Sequence, residues 1–113
     1  MPRLAAALAL LAASAGLAAL PALAASEAEF NLTIENHKFT PERIEIPAGK
    51  KVKFLVENKD ASAEEFDSDD LRIEKVIGAN SRGTIWVGPL KAGEYKFVGE
   101  YHDKTARGVV VAK

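Results

Sequence analysis

Apolar and polar residues alternate one by one along most of this sequence, and turn-forming residues separate the alternating runs. A period of two places one face of an extended strand on a core and the other face in solvent. Runs that recur about every 8–12 residues are typical of a β-sandwich or barrel. The pattern therefore predicts an all-β fold, without a long helix after the first 24 residues. The alternating runs are Phe30–Glu35, Ile44–Ile46, Val52–Glu57, Ile85–Val87, Tyr95–Phe97 and Val109–Val111.

The N-terminus has the pattern of a secretory leader. Arg3 precedes an apolar run over residues 4–20, and Ala22-Leu23-Ala24 fits a small-x-small cleavage site. We therefore predict a signal peptide over residues 1–24, one domain over residues 25–113, and a periplasmic location. The alternative is an uncleaved membrane anchor, because the apolar run is at the short edge of the about 17–25 residues that span a bilayer.

The predicted mature chain is small and mildly acidic. Its 89 residues are enough for one domain with a single core, which we expect to be a monomer. It carries 14 Lys and Arg against 16 Asp and Glu, a formal charge of −2, and no basic block, so we expect no nucleic-acid partner. The chain contains no Cys, no Gly-x-Ser-x-Gly and no Gly-x-Gly-x-x-Gly. We therefore assign no catalytic nucleophile and no nucleotide site.

The C-terminal part carries the most specific motif. Gly93-Glu94-Tyr95-Lys96-Phe97 leads through Gly99 to His102, and Gly108-Val109-Val110-Val111 follows. This order resembles the metal-ligand loop of cupredoxins, in which Gly-x-Tyr-x-Phe leads into Cys-x-x-His. The resemblance implies a two-sheet Greek-key β-sandwich. Earlier segments resemble the same family in the same order, namely Phe39-Thr40-Pro41, Ile46-Pro47-Ala48-Gly49, Val56-Glu57-Asn58 and Gly88-Pro89.

The resemblance fails at two of the usual copper ligands. Gly99 stands where the family has Cys, and Ala106 and Arg107 occupy the region of the axial Met. A blue type 1 copper centre is therefore excluded, because it requires a thiolate. The resemblance makes His102 a nitrogen ligand, and imidazole suits copper, iron and zinc. The alternative is that His102 is a surface residue or supports the site without binding the ion.

A pair of glutamates stands in for a histidine ligand of the family. Cupredoxins place that His just before an apolar residue, and Glu64-Glu65-Phe66 fills the place. Carboxylate oxygen is a hard ligand that favours Cu(II) or iron over Cu(I). Alignment with the His favours Glu64, whereas a shift of one residue in strand register would select Glu65. The alternative is that residues 64–70, with five acidic side chains, form a solvated loop.

Three further residues are candidates to complete the metal shell. Glu100 and Asp103 flank His102, and each offers a second carboxylate. His37 precedes the cupredoxin-like Phe-Thr-Pro segment, although a surface histidine is the simpler interpretation. The cofactor implied is copper as Cu²⁺, with iron as a second ion.

Glu64-Glu65-Phe66 and Gly99-Glu100-Tyr101-His102 resemble the EfeO-type cupredoxin-like domain of bacterial iron-uptake systems. That resemblance implies a periplasmic metal-binding protein that supports ferrous-iron uptake. Its partners would be the metal ion, an inner-membrane iron permease and a periplasmic iron-binding protein, and its activity would be copper-dependent oxidation of Fe(II). The alternative function is a metal-free docking module that binds a periplasmic or membrane partner through its acidic segment.

Overall fold

The computed structural model describes residues 28–113, which form nine β-strands and a short 3-10 helix, Glu100–His102. Within this part of the chain, no helix is long and apolar enough to cross a membrane. The predicted leader and its cleavage site lie outside the described residues. The strands are β1 Glu29–Glu35, β2 Lys38–Thr40, β3 Arg43–Ile46, β4 Val52–Asn58, β5 Glu64–Ser68, β6 Ile73–Ile77, β7 Ser81–Val87, β8 Gly93–Gly99 and β9 Arg107–Ala112.

The strands form two mixed sheets. One sheet has the order β2-β1-β4-β7, and the other has the order β3-β9-β8-β5-β6. β1 runs parallel to β4 and β3 runs parallel to β9, whereas the other pairs are antiparallel. This architecture confirms the predicted all-β sandwich.

The alternating side chains build the core between the sheets. On β4, every second position is buried, as the period of two predicts. Three aromatic rings cross the core near one end of the sandwich: Phe39 on β2 contacts Phe66 and Phe97 edge to face, with ring centroids 6.0 and 5.0 Å apart. Phe66 and Phe97 stack at 4.8 Å. Because the rings come from both sheets, their burial fixes the sheets against each other at this end.

The acidic segment is part of the second sheet. β5 lies between β6 and β8 and pairs antiparallel with both. Glu64, Phe66 and Ser68 point inward and are buried, while Glu65 and Asp67 are half-buried. The alternative of a solvated acidic loop is therefore wrong for residues 64–68.

Several connections meet at one end of the sandwich, which we call the site end. β1, β4 and β8 finish there, and β5 begins there. The turn after β1 carries His37, the β4–β5 connection carries Asp60, and the segment after β8 carries His102. The topology thus assembles residues that are up to 65 positions apart in the chain, from His37 to His102.

Candidate metal centre

Glu64, the first residue of β5, is a fully buried carboxylate at the site end. It is 1% exposed. Its Oε2 lies 2.7 Å from Nδ1 of His102, and its Oε1 accepts the backbone N–H groups of Tyr101 at 2.9 Å and Glu65 at 3.0 Å. An isolated buried carboxylate is costly, so these three partners are what allow Glu64 to lie in the interior.

Gly99 provides the space that the Glu64 carboxylate fills. Its backbone is extended, with φ −92° and ψ 105°, which any residue adopts. A Cβ at this position would lie 2.6 Å from Cδ of Glu64 and 2.7 Å from Cβ of Ala106. Position 99 is glycine because of space, since a side chain there would collide with Glu64. In the family that the sequence resembles, this position carries the copper-binding Cys.

His102 is the last residue of the 3-10 helix. Hydrogen bonds fix its backbone, and a contact with Glu64 fixes its ring. Its carbonyl oxygen accepts the N–H groups of Thr105 at 3.1 Å and Ala106 at 2.9 Å. The N–H of Gly99 donates to the carbonyl oxygen of Ala106 at 2.8 Å, which closes the loop around the histidine. The His102 side chain is 24% exposed, and its Nδ1 faces Glu64. The ring therefore stands between the buried carboxylate and solvent.

His37 lies against His102. The two imidazole rings stack with centroids 3.6 Å apart and planes 10° from parallel. His37 is exposed, as the simpler interpretation of the sequence expected, yet it belongs to the site end. The structure therefore brings together three of the six predicted site residues, His102, Glu64 and His37.

The other three predicted residues lie outside this group. Glu65 points to the opposite side of β5 from Glu64, and Glu100 and Asp103 are exposed around the 3-10 helix. The Glu65 carboxylate lies with those of Asp67 and Glu74, with one oxygen from each within 4.8 Å of the others.

These carboxylates form an acidic face, which we define as Glu65, Asp67, Glu74 and Glu100. Desolvation and the charges of Glu74, Asp67 and Glu64 raise the pKa of Glu65. Desolvation also raises the pKa of Glu100, together with the charges of Asp67 and Asp103. Desolvation and, after it, repulsion among like charges thus disfavour the ionised forms of Glu65 and Glu100 beside the site.

Asp60 and Thr105 belong to the site and were not among the predicted residues. The Asp60 carboxylate accepts the N–H groups of Asn36 at 2.8 Å and His37 at 3.0 Å. Desolvation raises the pKa of Asp60, but the hydrogen bonds from His37 and Asn36 outweigh it and hold that pKa below its usual value. Thr105 donates its hydroxyl to the carbonyl oxygen of His37 at 2.6 Å.

The sequence signal for Asp60 was only the turn-like segment Asn58-Lys59-Asp60. Asn58 is buried and anchors this connection, because its side-chain amide donates to the carbonyl oxygens of Ser62, Ile77 and Gly78 at 2.9–3.1 Å. Its Oδ1 accepts the N–H of Asp60 at 3.0 Å. A turn signal shows where the chain reverses, whereas the contact of Asp60 with the β1–β2 turn depends on the packing of the two connections.

The donor set suits a divalent ion with oxygen and nitrogen ligands. One buried carboxylate and two imidazoles are compatible with Cu(II), iron or zinc, and residues 28–113 contain no Cys or Met. The small residues at positions 99 and 106 leave the space that the Glu64 carboxylate occupies. The residues present therefore fit copper of the non-blue kind.

Comparison with sequences shows the family. Residues 4–112 match the cupredoxin-like domain family. An uncharacterized protein of Rickettsia prowazekii (strain Madrid E), RP394, is 37% identical over 83 residues, which cover 74% of this chain and 66% of that protein. The match thus spans just under two thirds of the relative's length.

Solved structures show the same fold at low identity. The metal binding domain of the Cu(I) exporting P-type ATPase CopA from Streptococcus pneumoniae D39 has a TM-score of 0.67 at 17% identity, covering 75% of this chain and 84% of that one. Auracyanin A, a "blue" copper protein from Chloroflexus aurantiacus, has a TM-score of 0.66 at 12% identity, covering 78% and 100%. The chain belongs to the cupredoxin-like domain family, and without cysteine it holds no blue copper centre.

Proposed function

We propose that this protein binds copper as Cu(II) through His102 and Glu64. The observation that carries the proposal is the buried Glu64 carboxylate, 2.7 Å from Nδ1 of His102, in the space beside Gly99. Burying an ionisable pair costs solvation free energy that an apolar pair of similar volume would not cost. A metal-binding role accounts for keeping such a pair at the ligand end of this fold.

The proposed ion would replace the present contact between Oε2 of Glu64 and Nδ1 of His102, which lie 2.7 Å apart. Both groups bind metal only when deprotonated, so acid should weaken binding. A bound copper ion would supply one-electron redox chemistry. One further ligand from His37, Glu100 and Asp103 would complete the shell.

We extend the proposal to ferrous-iron uptake in the periplasm. The support is the resemblance of Glu64-Glu65-Phe66 and residues 99–102 to the EfeO-type domain, together with the leader pattern over residues 1–24. In this role a bound Cu(II) would accept one electron from Fe(II), giving Fe(III) and Cu(I), and an external electron acceptor would reoxidise the copper. An inner-membrane iron permease and a periplasmic iron-binding protein would be the partners. Oxygen ligands suit such a reaction because they favour the higher oxidation state of iron.

Calorimetric titration with Cu(II) tests the metal centre. His102→Ala and Glu64→Ala should each lose most of the affinity, because each removes one of the two proposed ligands. Glu65→Ala is the matched control, since it removes the neighbouring carboxylate from the opposite face of β5 and should bind as the wild type does. Affinity of the wild type should fall between neutral pH and about pH 5. Wild-type binding by Glu64→Ala would contradict the proposed ligand set.

A second candidate function is docking without a metal. The observation in its favour is that Glu64 and His102 already contact each other, while the acidic face lies beside them with Glu65 and Asp67 half-buried and Glu74 and Glu100 exposed. In this case the acidic face would bind a basic surface on a periplasmic or membrane partner. A folded wild-type protein that binds no Cu(II) would shift the assignment to this candidate.

A further inference from the structure

The turn that carries His37 has an unusual backbone. Asn36 and His37 both adopt positive φ, 55° and 58°, in the two-residue turn between β1 and β2. Such turns favour Asn at the first position and Gly at the second, because a side chain in the left-handed region is strained. A histidine at the second position is therefore disfavoured by local conformation. Strained residues held in this way concentrate at functional sites.

Two other connections hold this turn in place. Asp60 accepts both N–H groups of the turn, at 2.8 Å from Asn36 and 3.0 Å from His37. Thr105 donates to the His37 carbonyl oxygen at 2.6 Å, and its N–H donates to His102 at 3.1 Å. The backbone of His37 is thus fixed to the loop that leads to Glu64 and to the loop that carries His102.

The contacts fix the backbone of His37 and leave its ring exposed. The ring stacks on His102 with centroids 3.6 Å apart. A metal ion lies in the plane of the imidazole that binds it, so two nearly parallel rings cannot bind one ion as they stand. The short distance between the rings keeps the His37 nitrogens near an ion that His102 binds. Rotation of His37 about its side-chain bonds is the change that binding requires.

We propose that His37 is the second imidazole ligand of the centre and that Asp60 is the residue that positions it. The proposal rests on the proposed metal-binding function and completes its ligand set with a nitrogen instead of a second carboxylate. Asp60 does not touch the ion. It keeps the strained turn over His102, so that His37 meets an ion already bound by His102 and Glu64.

Pulsed electron paramagnetic resonance of the full-length, tag-free chain loaded with Cu(II) tests this, because it counts coordinated imidazoles. The chain has two histidines, so the wild type should show two imidazoles. His37→Gly should show one, with binding weaker by about 10- to 100-fold, taking as a guide the losses that follow changes around metal sites. Glycine suits positive φ, so this variant should fold at least as stably without metal as the wild type.

Asp60→Ala should also lose the His37 signal, because nothing then holds the turn N–H groups. Asp70→Ala is its matched control. The Asp70 carboxylate also accepts a backbone N–H, from Lys96 at 2.9 Å, but in a different connection. This variant should keep two imidazoles and wild-type affinity.

The outcomes separate the two proposals. A wild type that binds Cu(II) with one imidazole, or Asp60→Ala that keeps two, overturns this inference and leaves the His102–Glu64 centre standing. A wild type that binds no Cu(II) overturns the proposed function itself. If Asp60→Ala fails to fold, His37→Gly still decides whether His37 is a ligand.

Discussion

The carboxylate of Glu64 lies where a side chain on Gly99 would have to go. A Cβ built on Gly99 would come within 2.6 Å of Cδ and 2.7 Å of Oε2 of Glu64. A glutamate at position 64 and a glycine at position 99 are therefore one structural unit, in which the absence of one side chain makes room for the other.

Gly99→Ala should destabilise the protein through steric overlap alone. The Gly99 backbone accepts any residue, so the cost comes from displacing Glu64 and Ala106 and should be about 1–3 kcal/mol. Urea denaturation of wild type and variant measures it. Gly78→Ala is the control, because a Cβ there would meet only ordinary contacts at 3.5 and 3.8 Å with Ser81. The Glu64→Ala/Gly99→Ala protein should lose less stability than the sum of the losses in the two single variants. Strict additivity would argue against treating Glu64 and Gly99 as one structural unit.

Glu64→Ala and Glu65→Ala should have opposite consequences for stability, although the residues are neighbours of the same type. Loss of Glu64 leaves the N–H groups of Tyr101 and Glu65 without their acceptor and should cost about 1–3 kcal/mol. Loss of Glu65 removes a carboxylate from the acidic face and relieves repulsion, so stability should hold or rise. Thermal and urea unfolding compare the two variants. Equal destabilisation would mean that burial of Glu64 does not matter.

The Cu(II)-loaded wild type should lack the intense red-region absorption of blue copper proteins, since no thiolate is present. Glu64→His combined with Gly99→Cys should introduce such a band, because it clears the carboxylate and places a thiol beside His102. Visible spectroscopy during Cu(II) addition gives the answer. Gly78→Cys supplies a thiol in another connection and should stay pale. An intense band in the wild type would mean that the assigned donor set is wrong.

Glu74→Gln should lower the pKa of Glu65. Desolvation and the charge of Glu74 are the largest reasons why the pKa of Glu65 is raised, and the substitution removes the second of them. Carboxyl chemical shifts followed by NMR through an acid titration measure the change. Glu94→Gln, which removes an exposed carboxylate from a different pair with Arg43, is the control and should leave Glu65 unaffected.

The acidic face should make the folding stability of the protein depend on pH. Because the pKa of Glu65 and the pKa of Glu100 are raised on folding, the native state binds protons more readily than the unfolded chain. Their contribution to stability therefore falls as pH rises through the raised pKa values and returns as pH falls. In Glu74→Gln, this part of the pH dependence should be weaker.

The fold was predictable because most of its longer strands show the alternation of buried and exposed positions. Leu32 and Ile34 on β1, like the inward residues of β4, follow the period of two that burial requires. β2 was not predicted, because three residues are too few to show a period, and neither was β6, an edge strand with exposed Glu74 and Lys75. The order of strands within each sheet depends on tertiary packing, which local alternation does not record.

The site was predictable only in part, for a related reason. The motif around His102 and its spacing from Gly99 are local, so they can be recognised in the sequence. That Glu64 points inward depends on register, and that His37 reaches His102 depends on Asp60 and Thr105 in other connections. Asp60 is 23 positions from His37 along the chain, and Thr105 is 68 positions away. No local sequence pattern marks contacts over such separations.

The described chain begins and ends away from its candidate centre. Ala28, which accepts the N–H of Lys53, and Lys113, which donates to Ile46, both lie at the end opposite the site end. A seven-residue strand such as β1 spans about 20 Å, so that distance separates both termini of the described part from His37. A linker or fusion partner joined at residue 28 or 113 would attach to the domain at the end opposite His37 and His102, and under the proposed metal-binding role it would leave both side chains accessible to a molecule that delivers or collects the ion.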